Sequence, residues 1–111
     1  MHLEGSIELT SIEMLEQLKQ QNQPYVLYIS TEDCNVCKSI YPKMMDALSS
    51  YEVDVYSVDA SRHQEIAGQL LVFSVPTIIV MVEQKEAYRE SRFIQFDQFN
   101  RVCSIACQEK S

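Results

Sequence analysis

The sequence predicts an α/β protein in which a central mixed sheet is covered by helices on both faces. Apolar strand-like runs alternate with amphipathic helix-like segments in the order β-α-β-α-β-α-β-β-α. This alternation requires parallel strands joined by crossover helices, and the two consecutive strands near the end form an antiparallel hairpin. A Cys-x-x-Cys motif at Cys34 and Cys37 lies between one of these strands and the helix that follows it.

The composition is that of a single domain spanning residues 1–111. Hydrophobic residues make up 46% of the chain, which is enough for a buried core. The net charge of −7 argues against a nucleic-acid partner, because binding phosphates requires a basic surface. There is no run of about 18 apolar residues, so we expect no transmembrane span and no membrane partner. The first residues do not form a secretory signal, which makes a cytoplasmic location the default expectation.

The first elements follow from caps and apolar periodicity. A short strand is expected at residues 6–9, and Thr10 with Glu13 forms a capping-box pattern for the next helix. Residues 25–30 are an almost continuous apolar run, which is typical of a strand covered on both faces. The intervening helix should bury one face, formed by Ile12, Leu15 and Leu18.

The helix after the motif is expected over residues 35–50, with Pro42 inside it. The proline ring removes one backbone hydrogen bond and should bend the helix. A strand is predicted at residues 53–58, and Ser61 with Gln64 forms a second capping-box pattern. The predicted buried side chains of these two helices are Ile40, Met44 and Leu48 in the first, and Ile66, Ala67, Leu70 and Leu71 in the second.

The strongest strand signal is the apolar run at residues 78–82. Residues 83–86 form a polar turn, and residues 87–93 are expected to pair back as the second arm of a hairpin. The last helix should begin at Asp97, with an apolar face formed by Phe99, Cys103 and Ala106.

A Cys-x-x-Cys motif between a strand and a helix indicates redox chemistry. The helix N-terminus presents unpaired N–H groups and partial positive charge to Cys34, which favours the thiolate that attacks disulfides. We therefore interpret Cys34 as the nucleophile and Cys37 as the thiol that resolves the mixed disulfide. Glu32 and Asp33 should oppose this activation, because nearby negative charge raises the pKa of a thiol.

Other interpretations of the cysteines stay open. The alternative for Cys34 and Cys37 is two buried small hydrophobes or half of a zinc site, although we expect no metal and no other cofactor. A zinc site would need further ligands, for which the candidates are His63, Cys103 and Cys107. Cys103 and Cys107 are four residues apart, which makes them neighbours on one helix face. The functional interpretation of these two cysteines is a second redox pair or a regulatory thiol, and the alternative is that they pack in the core. Core packing is favoured for Cys103, whereas Cys107 is a candidate exposed reactive thiol.

Over residues 5–108 the chain resembles the thioredoxin superfamily in the order of its elements and in two separate motifs. Residues 34–38 stand where the family has its active site, and Pro42 stands where thioredoxins commonly have a helix-kinking proline. Val75-Pro76-Thr77 resembles the cis-proline segment of the family, and Asp59 also fits a common family pattern. The resemblance implies a thioredoxin fold in which a cis Pro76 faces the cysteine pair.

The resemblance also implies a thiol–disulfide oxidoreductase that reduces protein disulfides. A thioredoxin-reductase-like enzyme or a low-molecular-weight thiol would return the cysteine pair to its reduced form. The substrate segment would pair with the backbone of Val75 beside Pro76, and Asp33, Asn35 and Val36 would complete the binding surface. The alternative is a non-catalytic adaptor or redox sensor that binds a partner protein through the same cis-proline groove.

The chain departs from the family pattern around the motif. Asp33 replaces a tryptophan, and Asn35-Val36 replaces Gly-Pro. Tyr28 stands where family members often have a buried aspartate, which makes it either a hydroxyl substitute or an ordinary strand aromatic. Two other family positions, a lysine that partners this aspartate and a glycine near the end of the last strand, are aligned with Val55 and Arg92.

Overall fold

The computed structural model describes residues 3–110 and confirms the predicted mixed α/β architecture. Within this range no helix is long and apolar enough to cross a membrane. The elements, in chain order, are β1 (Ser6–Glu8), α1 (Ile12–Leu18), β2 (Tyr25–Ser30), α2 (Asn35–Leu48), β3 (Tyr51–Glu52), β4 (Asp54–Asp59), α3 (Gln64–Gln69), β5 (Thr77–Val82), β6 (Lys85–Ser91), α4 (Phe96–Ala106) and β7 (Gln108–Glu109).

The central sheet has five strands in the order β1-β4-β2-β5-β6. Strands β1 and β2 both run parallel to β4, whereas β5 runs antiparallel to β2 and to β6. The expected hairpin therefore exists, and it lies at one edge of the sheet. Strand β2 occupies the centre, so the loop that carries the cysteine motif leaves from the middle of the sheet.

Two hydrophobic clusters cover opposite faces of the sheet. One packs α1 and α3 against the sheet, and the other packs α2 and α4. The side chains of β2 alternate between them, as the period of a strand requires. Tyr25, Leu27 and Ile29 enter the first cluster, and Val26 and Tyr28 enter the second. Burial on both faces explains why this strand is apolar throughout.

Both predicted capping boxes were wrong. The N-cap of α1 is Ser11, whose hydroxyl oxygen accepts the N–H of Met14 at 3.1 Å, and not Thr10. Ser61 does not cap α3, because its hydroxyl donates to Asp59 Oδ1 at 2.7 Å. His63 stands at the N-cap of α3 without a side-chain capping bond. At α1 the neighbouring Ser11 makes the capping bond, whereas at α3 the Ser61 hydroxyl is bonded to Asp59, two residues before it, and no side chain makes the capping bond.

The buried stripe of α2 differs from the prediction at one position. Met44 and Leu48 are buried as expected, but Ile40 is only half-buried and Tyr41 takes its place. The stripe begins at Cys37 and continues at helical spacing through Tyr41. The helix ends at Leu48, two residues before the predicted end at residue 50.

Leu71 is also wrongly assigned to a buried helix face. Its side chain is 66% exposed and its backbone has a positive φ of 57°, because α3 ends at Gln69 and the chain turns there.

The turn between β5 and β6 consists of Glu83 and Gln84, both with positive φ. Consecutive positive φ values suit a two-residue hairpin turn, so β6 begins at Lys85 instead of residue 87.

A second, two-stranded sheet was not predicted. Strand β3 pairs antiparallel with β7, which joins Tyr51 to Glu109 and Glu52 to Gln108. Strand β4 therefore starts at Asp54, and Val53 lies between the two strands, outside both. Each strand of this pair has two residues, which is too short for an alternating pattern to appear in the sequence.

Candidate active site

The cysteine motif joins the end of β2 to the first turn of α2. Cys34 is the N-cap of α2, and its Sγ accepts the backbone N–H of Cys37 at 3.0 Å. Cys34 and Cys37 are joined by a disulfide, with Cα atoms 5.2 Å apart. The first sulfur therefore occupies the position where unpaired N–H groups and the helix dipole stabilise negative charge.

The two cysteines differ in exposure. Cys34 is half-buried, whereas Cys37 is only 3% exposed and is one of the buried residues of α2. An incoming thiol or disulfide can therefore approach Cys34 but not Cys37. Asp33, Asn35 and Val36, predicted as substrate contacts, are all exposed around Cys34.

The Val75–Pro76 peptide bond is cis, the isomer that the family resemblance implied. It directly precedes β5, where Thr77 pairs with Ile29 of β2. The cis peptide therefore lies at the same end of the central strands as the loop that leads to Cys34. Pro76 is buried. Val75 is half-buried and borders a groove of about 400 Å³ whose lining includes residues of α3 and residues 72–75.

Hydrogen bonds hold the cis-proline segment. The Thr77 hydroxyl donates to the carbonyl oxygen of Ser74 at 2.7 Å, and it also lies 2.7 Å from the Ser91 hydroxyl. The N–H of Arg92 donates to the carbonyl oxygen of Pro76 at 2.7 Å. Arg92 has a positive φ of 67°, a conformation that suits the glycine of the family at this position. Here the position also carries an exposed guanidinium group beside the cis-proline segment.

Two exposed aromatic residues near Pro76 were missed by the sequence analysis. Phe73 is 86% exposed and lies three residues before Pro76, and Phe93 is 81% exposed and follows Arg92. Val36 adds an exposed aliphatic side chain at the cysteine motif itself. The sequence did show Phe73 just before the predicted cis-proline segment and Phe93 at the end of the predicted hairpin. Aromatic residues of a small domain are usually buried, however, so neither was expected at the surface.

Tyr28 occupies the position of the family's buried aspartate, and its hydroxyl has a definite partner. The phenol donates to the carbonyl oxygen of Cys37 at 2.6 Å in a buried environment. Burial, together with the neighbouring Tyr41, raises its pKa, so the phenol stays protonated. Tyr28 is thus more than an ordinary strand aromatic: it ties β2 to the first turn of α2. It binds the backbone of Cys37 and supplies no carboxylate.

This bond predicts a difference between two tyrosines of the same strand. Both Tyr25 and Tyr28 are 1% exposed, but the Tyr25 hydroxyl has no hydrogen-bond partner among residues 3–110. Tyr28→Phe should lower the free energy of unfolding by about 1–2 kcal/mol, because the Cys37 carbonyl loses its donor. Tyr25→Phe, the matched control, should be neutral or stabilising in the same urea titration. Equal losses in the two variants would contradict the assigned role of the Tyr28 hydroxyl.

Cys103 on α4 and Cys107 at its C-cap are both buried, which contradicts the expectation of an exposed Cys107. A hydrogen bond between the two thiols, together with burial, raises the pKa of Cys103. The same bond lowers the pKa of Cys107, against the opposing effect of burial. These cysteines belong to the cluster under α2 and α4, as packing predicts. Among residues 3–110, no three His, Cys, Asp or Glu side chains are grouped to hold a metal ion.

The fold and the site are those of a protein with thiol–disulfide chemistry. They combine a mixed sheet, a disulfide at a helix N-terminus and a cis-proline loop at the same end of the central strands. The thioredoxin family model matches residues 5–100, so the chain belongs to the thioredoxin family. With its disulfide-forming cysteine pair, this membership supports thiol–disulfide oxidoreductase activity in general.

Individual relatives agree with the assignment to the thioredoxin family. The chain is 29% identical over 94 residues to the thioredoxin-like protein YdfQ of Bacillus subtilis (strain 168), covering 84% of each protein. An N21Q mutant thioredoxin from Halobacterium salinarum NRC-1 superposes with a TM-score of 0.79 at 13% identity, over 96% of this chain and 94% of that one. Oxidised thioredoxin O1 from Arabidopsis thaliana gives a TM-score of 0.77 at 18% identity, over 92% and 97%. These two structures confirm the thioredoxin fold.

Proposed function

We propose that the protein, acting as a single domain over residues 1–111, reduces disulfides of other proteins by exchange with Cys34 and Cys37. The observation that carries this proposal is the unequal exposure of the two cysteines that share one disulfide at the N-terminus of α2. An accessible first thiol and a buried second thiol are the arrangement that a two-step exchange needs. The first captures the substrate, and the second releases it.

The exchange proceeds in two balanced steps. The Cys34 thiolate attacks one sulfur of the substrate disulfide, and the other substrate sulfur leaves with the electron pair. Cys37, once deprotonated, then attacks Cys34 Sγ, which breaks the bond to the substrate and forms the Cys34–Cys37 disulfide. The substrate gains two electrons, and a thioredoxin-reductase-like enzyme or a low-molecular-weight thiol returns them to the protein.

The substrate-binding surface proposed for this reaction is Val75 and Pro76 together with Asp33, Asn35 and Val36. The half-buried Val75 borders the groove and follows a loop that is fixed by hydrogen bonds. An extended segment of a substrate protein can pair with its backbone, in the manner of strand addition. Exposed Phe73 and Phe93 extend this surface with apolar area that favours a protein substrate over a small disulfide.

We predict that the double variant Phe73→Ala/Phe93→Ala raises the KM for a protein disulfide by about tenfold, since a truncated aromatic anchor typically costs more than 1 kcal/mol of binding. Turnover of a small aromatic disulfide should be unchanged, because it contacts only Cys34. Ile105→Ala is the matched control: this side chain is 81% exposed but lies near the end of α4. Equal loss on both substrates would mean that the aromatic pair does not contact the substrate protein.

The same exposed aromatic side chains favour a second candidate function, an adaptor or redox sensor that binds a partner without turnover. Two measurements separate the candidates. Disulfide turnover that is lost in Cys34→Ser supports the oxidoreductase, and equal rates in wild type and variant would refute it. Partner binding that persists in a double Cys34→Ser/Cys37→Ser variant, without measurable wild-type turnover, supports the adaptor.

A further inference from the structure

In the second step of the proposed exchange, Cys37 releases the substrate, and no residue has so far been assigned to take up the Cys37 proton. Cys37 must lose its proton before it attacks Cys34, yet its side chain is only 3% exposed. Tyr28 cannot accept this proton, because its hydroxyl already donates to the Cys37 carbonyl and its pKa is raised by burial. Val55, which is aligned with the lysine of the family, has an aliphatic side chain and is buried in the same hydrophobic cluster as Tyr28.

A cavity connects the buried Cys37 with exposed polar residues. It has a volume of about 410 Å³, and its lining includes Tyr28, Ser30, Cys37 and the exposed residues Glu32 and Lys38. Since one water molecule occupies about 30 Å³ in the liquid, the cavity has room for several bridging waters. Of the lining residues between Leu3 and Lys110, Glu32 alone carries a carboxylate.

The other charged and titratable groups close to this cavity are less suited to accept the proton. Asp59 is buried and pairs with the lining residue Ser30, but it is not itself part of the cavity lining, and its Oδ1 accepts hydrogen bonds from Ser61. Lys38 on α2 carries an ammonium group, which favours a Cys37 thiolate but cannot take up its proton. Tyr41, whose ring centroid lies 5.1 Å from that of Tyr28, donates its hydroxyl to the carbonyl oxygen of Glu4. The carboxylate of Asp33 is exposed and is not part of the cavity lining.

We propose that Glu32 is the proton acceptor for Cys37, acting through water in this cavity. The inference rests on the proposed exchange reaction, whose second step it completes. The Cys37 thiol transfers its proton through water to the Glu32 carboxylate, and the resulting thiolate attacks Cys34 Sγ. The substrate thiolate then leaves with the electron pair and takes up a proton, which regenerates the Glu32 carboxylate.

The test compares Glu32→Gln with Asp46→Asn, in which the same charge is removed from an exposed position of α2 outside the proposed site. A mixed disulfide between Cys34 and a peptide thiol is formed, and its release is followed by stopped flow as a function of pH. Near neutral pH, Glu32→Gln should slow release by about tenfold, at the lower end of effects seen for general base residues. The deficit should shrink as the pH rises, because hydroxide then removes the thiol proton without the carboxylate. Glu32→Asp should restore part of the rate.

Asp46→Asn should release the peptide at the wild-type rate, because this carboxylate belongs neither to the cavity nor to the proposed substrate surface. If Glu32→Gln behaves like Asp46→Asn, then Glu32 is not the proton acceptor and the proposal is overturned. A deficit of the same size at every pH would indicate a structural effect and would also overturn it.

A second measurement does not depend on turnover. In the reduced protein, the ¹³Cβ shift of Cys37 should show an additional step at acidic pH, because interacting groups titrate together. Glu32→Gln should remove this step, and Asp46→Asn should keep it. A step that survives in Glu32→Gln would overturn the role of Glu32. Failure of the exchange reaction itself would instead appear as a wild-type protein that releases no peptide.

Discussion

Replacing Cys34 with serine is expected to lower the turnover of a protein disulfide by at least about three orders of magnitude, as for other enzymes that lose their nucleophile. A serine hydroxyl at the N-cap keeps the hydrogen bond to the N–H of Cys37 but does not form a thiolate. The measurement is reduction of a model protein disulfide by a chemical thiol, with and without catalytic amounts of the protein. Wild-type rates in the variant would refute the oxidoreductase proposal.

Cys37→Ser should have a different phenotype, since Cys34 keeps its position while the resolving thiol is gone. The variant should accumulate a mixed disulfide with its substrate, detectable by mass spectrometry and released by a reductant. Cys103→Ala provides the matched control, because this cysteine is equally buried but lies on α4. Full turnover is expected of it; a trapped complex or a comparable loss would place the chemistry elsewhere.

The central elements of the fold were predictable because their sequence patterns have a single physical explanation. A six-residue apolar run such as β2 is compatible with a strand buried on both faces, and its side chains do enter both clusters. Strand β5 is recognisable for the same reason. The position of the cysteine pair follows from the strand before it and the helix after it, which together define an N-cap.

Helix starts were less predictable, because several neighbouring polar residues compete for the same N–H groups. At α1 the hydroxyl of Ser11, and not that of Thr10, accepts the capping hydrogen bond. At α3 the hydroxyl of Ser61 donates to Asp59 and does not cap the helix. Such competition is decided by distances between residues that only the folded chain defines. The β3–β7 pair depends likewise on the end of α4 returning to the residues that follow α2.

The exposed aromatic residues of the proposed substrate surface and the cavity beside Cys37 could not be predicted from sequence patterns. Phe73 and Phe93 belong to a residue type that is usually buried, and their exposure results from loops that lie beyond the sheet edge. Glu32 was interpreted only as a charge that opposes Cys34, because its place in the Cys37 cavity depends on how β2 and α2 pack. The roles of Val75 and Pro76 came from the family resemblance.

The largest effect on stability is expected for Phe99→Ala in α4. Phe99 is 0% exposed, and its ring makes edge contacts with Tyr88 on β6 at 5.5 Å and with Phe96 at 5.8 Å between centroids. Removing the ring leaves a cavity between α4 and the sheet in addition to the lost burial. We expect the free energy of unfolding to fall by about 3–5 kcal/mol, measured by urea titration of the oxidised protein.

Phe93→Ala is the matched control for this variant, because the same side chain is removed from a position that is 81% exposed. It should change the free energy of unfolding by less than about 0.5 kcal/mol, as surface substitutions usually do. The two variants should also differ in function: Phe93→Ala weakens protein-substrate binding without unfolding the domain, and Phe99→Ala lowers activity only as far as it lowers the folded fraction. A loss of similar size in both unfolding titrations would mean that α4 does not anchor the core through Phe99.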